Sequence, residues 1–196
     1  MGYNISGLVI DKNYENEIEQ LEQILGEKLI FEKEVDFEKG SENWKEDNYC
    51  DIYFSEKGTL IFISMERGAF EFNIKNQKAF SFALSEMTMT FAVNYTENEN
   101  MIRSFVETEG GERPQDIGDK LNFEKTENDA SELIHHLIES TLSKSFWSIE
   151  LEEKCKRYKF ESIKKEAPKS KSEIQKENKP KPNPIVENKK PWWKIW

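Results

Sequence analysis

Met87-Thr88-Met89-Thr90-Phe91-Ala92-Val93-Asn94-Tyr95 is the stretch on which the fold turns. Large side chains at the odd positions alternate with Thr, Ala or Asn at the even ones, the period of two that sends neighbours to opposite faces of a β-strand. The polar turn Thr96 to Asn100 then leads into Met101 to Glu107, so the stretch opens a β-hairpin. Upstream, Phe80, Phe82 and Leu84 repeat the alternation, as do Phe70, Phe72 and Ile74. Cys50, Ile52 and Phe54 alternate with Tyr49, Asp51 and Tyr53, a strand with one wetter face. After Lys57-Gly58, the unbroken apolar run Leu60 to Ile63 reads as its hairpin partner, central and buried on both faces.

Further out, Leu29, Phe31, Val35 and Phe37 alternate with Lys28, Glu32, Glu34 and Asp36, predicting a half-buried strand. Tyr3 to Ile10 reads as another strand, and Gly40 to Asn48 as a loop. Two stretches have helical spacing instead. Tyr14, Ile18, Leu21 and Leu25 form an apolar stripe, with Asn13 as cap, Gly26 as terminator and Glu15, Glu19 and Glu22 on other faces. Asp129 with Glu132 begins a second helix, whose apolar face is Ala130, Leu133, Ile134, Leu137, Ile138 and Leu142. Short strands around Trp147 to Leu151 and Cys155 to Phe160 close the body. The strands follow one another too closely for helical crossovers. The expected fold class is therefore α+β, a largely antiparallel sheet with two packed amphipathic helices and a disordered C-terminal tail.

The composition divides the chain into three parts: an acidic domain over 1–160, a Lys/Pro-rich linker over 161–190 and a Trp-rich motif over 191–196. Residues 161–196 hold ten Lys and five Glu, a formal charge of +5, which leaves −15 on residues 1–160 of a chain whose total is −10. So negative a body repels DNA, RNA and anionic lipid and favours basic partners. Five of the six prolines lie beyond residue 160, without a Phe or Gly among them, and no core forms from such a composition. No run approaches the length of a membrane-spanning helix and no signal peptide opens the chain, so the cytoplasm is the expected compartment. Cys50 and Cys155 lack any CxxC or Cys/His spacing and read as packing residues, with no disulfide or metal expected.

Motifs for catalysis are weak. His135 and His136 point about 100° apart on a helix and cannot jointly grip a metal ion. They flank the buried stripe, and a general base among them would need partners that no local spacing supplies. Glu107, Glu109, Glu112, Asp116 and Asp119 surround Gly110-Gly111 without the ligand spacing of a calcium loop, and the glycines form no nucleotide-binding motif. Arg103 reads as a partner in a cross-strand ion pair. No cofactor is expected.

Phe82-Ala-Leu-Ser-Glu86, Thr88-Met-Thr-Phe-Ala92 and Arg103-Ser-Phe-Val-Glu107, followed by Gly110-Gly111, resemble a segment of small bacterial domains. Some of those are similar in size and acidity to immunity proteins of contact-dependent toxins. The resemblance spans about a fifth of the chain and carries no catalytic motif. It implies a binding protein and transfers no functional residue.

The expected function is thus a non-enzymatic binding protein whose acidic body, through Glu15, Glu19 and Glu22, meets a basic protein partner. The alternative is an enzyme whose site is assembled from residues distant in sequence. Trp192, Trp193, Lys194 and Trp196 form the second contact, at the end of a tether from about Ala167 to Lys190. Tryptophans at the end of a polar linker have no folding reason to be there. They suit a groove on another protein or the headgroup layer of a membrane, while folding back on the acidic body is the plainer reading. Deletion of Pro191 to Trp196 tests this: partner capture or sedimentation with anionic vesicles should be lost while thermal stability is kept. If only stability drops, the tip folds onto the body, and if nothing changes it has no docking role.

Overall fold

The computed structural model describes residues 2–67, 72–127 and 129–162. Within them nine strands form one antiparallel sheet. In chain order the elements are β1 (Asn4–Ile10), α1 (Ile18–Leu25), β2 (Glu27–Asp36), α2 (Phe37–Gly40), β3 (Tyr49–Phe54), β4 (Thr59–Ile63), β5 (Lys78–Ser85), β6 (Thr90–Glu97), β7 (Asn100–Glu107), β8 (Gln115–Ile117), α3 (Ala130–Leu142) and β9 (Lys154–Ser162). The order across the sheet is β2-β9-β3-β4-β1-β5-β6-β7-β8. Strand β1, between β4 and β5, is buried along its whole length.

The central strands feed two cores because their alternate residues face opposite ways, whereas β6 and β7 contribute only to the core beneath α3. Ile5 and Val9 of β1 join Leu60, Phe62, Phe80, Phe82, Val93 and Phe105 beneath α3, whose Leu133, Ile134, Leu137 and Ile138 cover that face. Leu8 and Ile10 join Ile61, Ile52, Cys50 and Tyr158 on the other face, beneath Leu21 of α1 and Ile74. Gly7 permits the close approach of β4 and β5 to β1: a Cβ there would lie 2.4 Å from the Ile61 carbonyl oxygen and 3.0 Å from the Phe82 ring. The continuous apolar run of β4 reflects burial on both faces.

The predicted hairpin is β6–β7, but its first strand starts at Thr90. Met87 to Met89 belong to the β5–β6 turn, where Met89 has φ 50° and the Thr88 hydroxyl bonds Ser85 Oγ at 2.9 Å. Their alternation with Thr mimicked a strand, although both methionines are exposed. Asn98 and Glu99, with φ 46° and 66°, make the two-residue turn of a twisted hairpin.

Other expectations change in detail. Phe72 and Ile74 lie in no strand: Ile74 plugs the α1 core and the Phe72 carbonyl accepts the Thr96 hydroxyl at 2.7 Å, while Phe70 lies outside the described residues. Trp147 to Leu151 are not a strand either, because a 3-10 turn at Phe146–Ser148 turns Phe146 into the α3 core. Strand β8 was not anticipated, being three residues long. Asn13 does not cap α1; its side chain accepts the Glu15 N–H at 2.7 Å and donates to the Ser55 carbonyl at 2.7 Å, and the helix starts only at Ile18. Gly26 does end it, in the left-handed conformation. Strand β3 has no wet face, since Asp51 and Tyr53 are as buried as Cys50 and Ile52.

Strand β2 departs most from its pattern. A bulge between Phe31 and Lys33 shifts its register on β9, so Leu29 and Phe31 face the α1 side while Val35, paired with Cys155, faces the α3 side. As an edge strand it leaves Phe31 53% exposed.

Two carboxylates lock the ends of the sheet. Near β2, Glu22 of α1 accepts the Leu29 N–H and the Lys28 ammonium, both at 2.8 Å. Near β8, the fully buried Arg103 of β7 is clasped by Glu124, with Nε to Oε2 at 2.9 Å and Nη2 to Oε1 at 3.0 Å, and also meets Asp116 and the Ile117 carbonyl. Burial alone would raise both glutamates. The bonds from Lys28 and Leu29 at Glu22, and from Arg103 and Leu121 at Glu124, outweigh it and hold both carboxyls below the usual range.

Removing one partner of a buried pair strands the other charge. Glu124→Ala should therefore lower unfolding stability by about 3 to 5 kcal/mol, read from urea titration. Because both carboxyls are depressed, their contribution is complete above about pH 4.3 to 4.5 and fades as pH falls through the folded values. Glu22→Gln should flatten that acid limb.

Candidate functional site

The residues expected to meet a basic partner do not form one surface. Glu15 lies before α1 and pairs with Lys156 of β9 at 2.9 Å. Glu19 is exposed on the helix. Glu22 is buried and committed to the β2 edge, a correction to its reading as a partner contact: a side chain one turn before Gly26 reaches back over the start of β2. Trp192, Trp193, Lys194 and Trp196 lie outside the described residues.

Catalytic chemistry finds little to work with. His135 is 6% exposed and neither ring nitrogen has a hydrogen-bond partner; His136 is exposed, beside Phe123. The acidic loop is drawn in by arginines: Arg113 bonds Glu107 at 2.8 Å and Glu124 at 3.3 Å, while Asp116 serves Arg103. Among the described residues no group of three or more His, Cys, Asp or Glu side chains is placed to hold a metal ion. Lys144, Tyr53 and Glu153 make the most catalytic-looking triad, with Lys144 Nζ 2.8 Å from the Tyr53 hydroxyl and 2.7 Å from Glu153. Burial and the bond to Glu153 raise the Tyr53 phenol. Burial would lower Lys144 and raise Glu153, but the contacts within the triad outweigh it and do the reverse. Near neutrality the three are phenol, ammonium and carboxylate, none poised to exchange a proton. Burial likewise raises the Cys155 thiol to about 12 and Cys50 further still, which keeps both unreactive.

What stands out is the loop from Ser41 to Asn48. Its Trp44 is 73% exposed, the most exposed large apolar side chain among the described residues. The loop around it is held firmly. Ser41 donates both its N–H and its hydroxyl to the Phe37 carbonyl at 2.8 Å. Asn43 accepts the Asn4 N–H at 2.9 Å and donates to the Gly2 carbonyl at 3.0 Å, tying the loop to the start of β1. Lys45 turns inward, 5% exposed, onto the carboxylate of Asp51, which is wholly buried on β3. Arg157 of β9 grips the same carboxylate in a fork, Nε to Oδ1 at 2.7 Å and Nη2 to Oδ2 at 2.8 Å. That bond, ahead of the opposing effect of burial, raises the pKa of Arg157.

The loop's only cation is thus spent inside, while Glu46 and Asp47 remain exposed beside the indole. Trp44 lines two depressions. One, of 130 Å³, is floored by Ile5, Ser6 and Phe62; the other, of 340 Å³, is bounded by Glu32, Glu46, Tyr49 and Arg157. An exposed indole on a loop tied down at several points, in a charged surround that includes Glu32 and Glu46 as well as Lys33 and Lys39, has the form that interface hot spots take. The sequence contained a signal for it: a tryptophan within a polar segment opened by Gly40 is as unexplained by folding as the tryptophans of the tail.

No protein-family model, curated protein or solved structure matches the chain. Among the described residues no helix is long and apolar enough to cross a membrane.

Asp51→Asn leaves two largely enclosed cations facing a neutral amide. It should destabilise the fold by about 3 kcal/mol and abolish amide-exchange protection in residues 41–48 before that of β1. Uniform loss along the chain would show that Asp51 holds the whole sheet rather than the loop.

Proposed function

We propose that the protein is a non-catalytic binding module of the immunity type, cytoplasmic, whose acidic body covers a basic protein partner with Trp44 as anchor. The observation that carries this reading is the exposure of Trp44 on a loop fixed from below by Lys45, Asp51 and Arg157. A loop already ordered loses little conformational entropy on binding, so more of the indole's burial goes into affinity. The formal charge of −15 on residues 1–160 supports a basic partner and opposes nucleic acid. Glu46, Asp47 and Glu32 around the indole would act at a solvated rim, where carboxylates speed encounter more than they hold the complex. The inert ionisation of the Lys144 triad and of both thiols supports binding over catalysis. The free, buried state of Cys50 and Cys155 suits a reducing compartment. In the same proposal Trp192, Trp193, Lys194 and Trp196 make a second contact, with another protein or a membrane surface.

Pull-down from the native host at low and at moderate salt tests the reading. Trp44→Ala should weaken capture at both salts by about thirtyfold, the equivalent of a hot spot of about 2 kcal/mol. Reversing Glu46 and Asp47 to lysine should slow association mainly at low salt. Capture that ignores all three changes would overturn Trp44 as the anchor. An empty, salt-independent pull-down of the unaltered chain would overturn the module itself.

A further inference from the structure

The imidazole of His135 fits its surroundings only while neutral. It lies on α3 within an aromatic cluster, its ring centroid 4.7 Å from that of Trp147, 5.3 Å from Phe146 and 6.4 Å from Tyr3. Both its nitrogens are buried without a hydrogen-bond partner. A neutral ring already leaves one N–H unsatisfied there, and an imidazolium would leave two together with a desolvated charge.

The cluster also holds the start of the chain. Tyr3 packs against Phe146 and Trp147, each at 5.6 Å between ring centroids. Its backbone N–H donates to Glu86 Oε2 at 2.7 Å, and its carbonyl accepts the Glu86 N–H at 2.9 Å. On either side of Tyr3, the Gly2 carbonyl and the Asn4 N–H bond the side chain of Asn43, the residue before Trp44. One continuous set of contacts therefore runs from the imidazole through Tyr3 to the loop that presents the indole.

We propose that His135 is a proton-operated latch on the Trp44 loop: protonation drives the imidazole out of the aromatic cluster, frees Tyr3 and so releases Asn43 and the loop it orients. This deepens the docking role proposed for Trp44 and rests on it. The charged groups that reach the ring give the displaced imidazolium somewhere to go. Glu132 and Asp129 lie on and before the same helix, and Glu86 lies on the β5–β6 turn. Glu86 already bonds the hydroxyl of Ser131, one helical turn before His135. An imidazolium attracted there competes with the Tyr3 N–H for the same carboxylate. His136, the adjacent titratable group, opposes the charge, and the phenol of Tyr3 is raised by burial and by Glu86, so it stays neutral.

The direction of the pH effect follows. Burial lowers the pKa of His135, against the opposing pull of Glu132, Glu86 and Asp129. The closed cluster thus binds this proton less readily than the unfolded chain does. Its stability falls as pH drops below about 6.5.

The test is a titration of the full chain by NMR from pH 7.5 to 5, with no partner present. The His135 ring should titrate with a midpoint below 6.5. The Trp44 indole N–H and the Asn43 side-chain amide should shift with that same midpoint, and exchange protection at Tyr3 and Asn4 should fall at least tenfold. His135→Phe should abolish all the linked changes. Should that variant not fold, His136→Gln leaves a single histidine in an otherwise intact protein and must retain them. Trp44 and Asn43 signals that stay still while His135 titrates, or that move equally in His135→Phe, would overturn the latch. Since no partner is present, a Trp44 that docks nothing leaves this result intact, and a failed latch leaves the Trp44→Ala capture result intact.

Discussion

Alternate side chains of β1 enter two different cores, and that double burial constrains the rest of the molecule. With β4 on one side and β5 on the other, Ile5 and Val9 need a cover on one face while Leu8 and Ile10 need one on the other. Only two helices of useful length are at hand among the described residues, so α3 takes one face and the shorter α1 the other, with Ile74 filling beside it. The flanks of the sheet are therefore thinly covered. Bulging β2 sends Leu29 to one core and Val35 to the other, an economical use of an edge strand that has no helix of its own on both sides.

Where apolar cover runs out, ion pairs take its place. Asp51 joins Lys45 of the loop to Arg157 of β9, Glu124 clasps Arg103, and Glu22 is bonded to the β2 edge. Such groups do more for geometry than for stability, since each costs desolvation that only good bonding repays. Lys45, Arg103 and Arg157 are enclosed along with Asp51, Glu22 and Glu124, so these inner charges cancel and the net negative charge falls to exposed groups. The field that remains is carried by groups such as Glu19, Glu32, Glu34, Glu46 and Asp47.

Class and hairpins were legible because they depend on period, and period survives without knowing the neighbours. The β6–β7 hairpin and the stripe of α3 follow from it directly. Boundaries were not: Met87 and Met89 continued an alternation that the Ser85–Thr88 contact breaks, and Trp147 suggested a strand where a 3-10 turn stands. The inward bend of β2 was illegible because a bulge depends on the pairing partner, here β9, more than a hundred residues away. The site was hidden for the same reason. Asp51 looks like the wet side of an alternating strand until Arg157 and Lys45 arrive from distant segments, and Trp44 cannot be seen as fixed until they do.

That dependence bears on the docking role proposed for Trp44. An exposed tryptophan on a slack loop would gain contacts on binding but lose freedom in both loop and side chain, leaving little net affinity. Here the ordering is accomplished during folding, by a carboxylate that must be buried anyway to join β3, β9 and the loop. The same rigidity makes the loop sensitive to its other attachment. Asn43 is fixed to Gly2 and Asn4, whose neighbour Tyr3 packs on a histidine that tolerates no charge. In the proposed latch, the attachment to Asp51 from beneath persists while the side contact through Asn43 is made or broken. Asp51 would then keep the indole near the surface in both states, and the side contact would decide how sharply it is aimed.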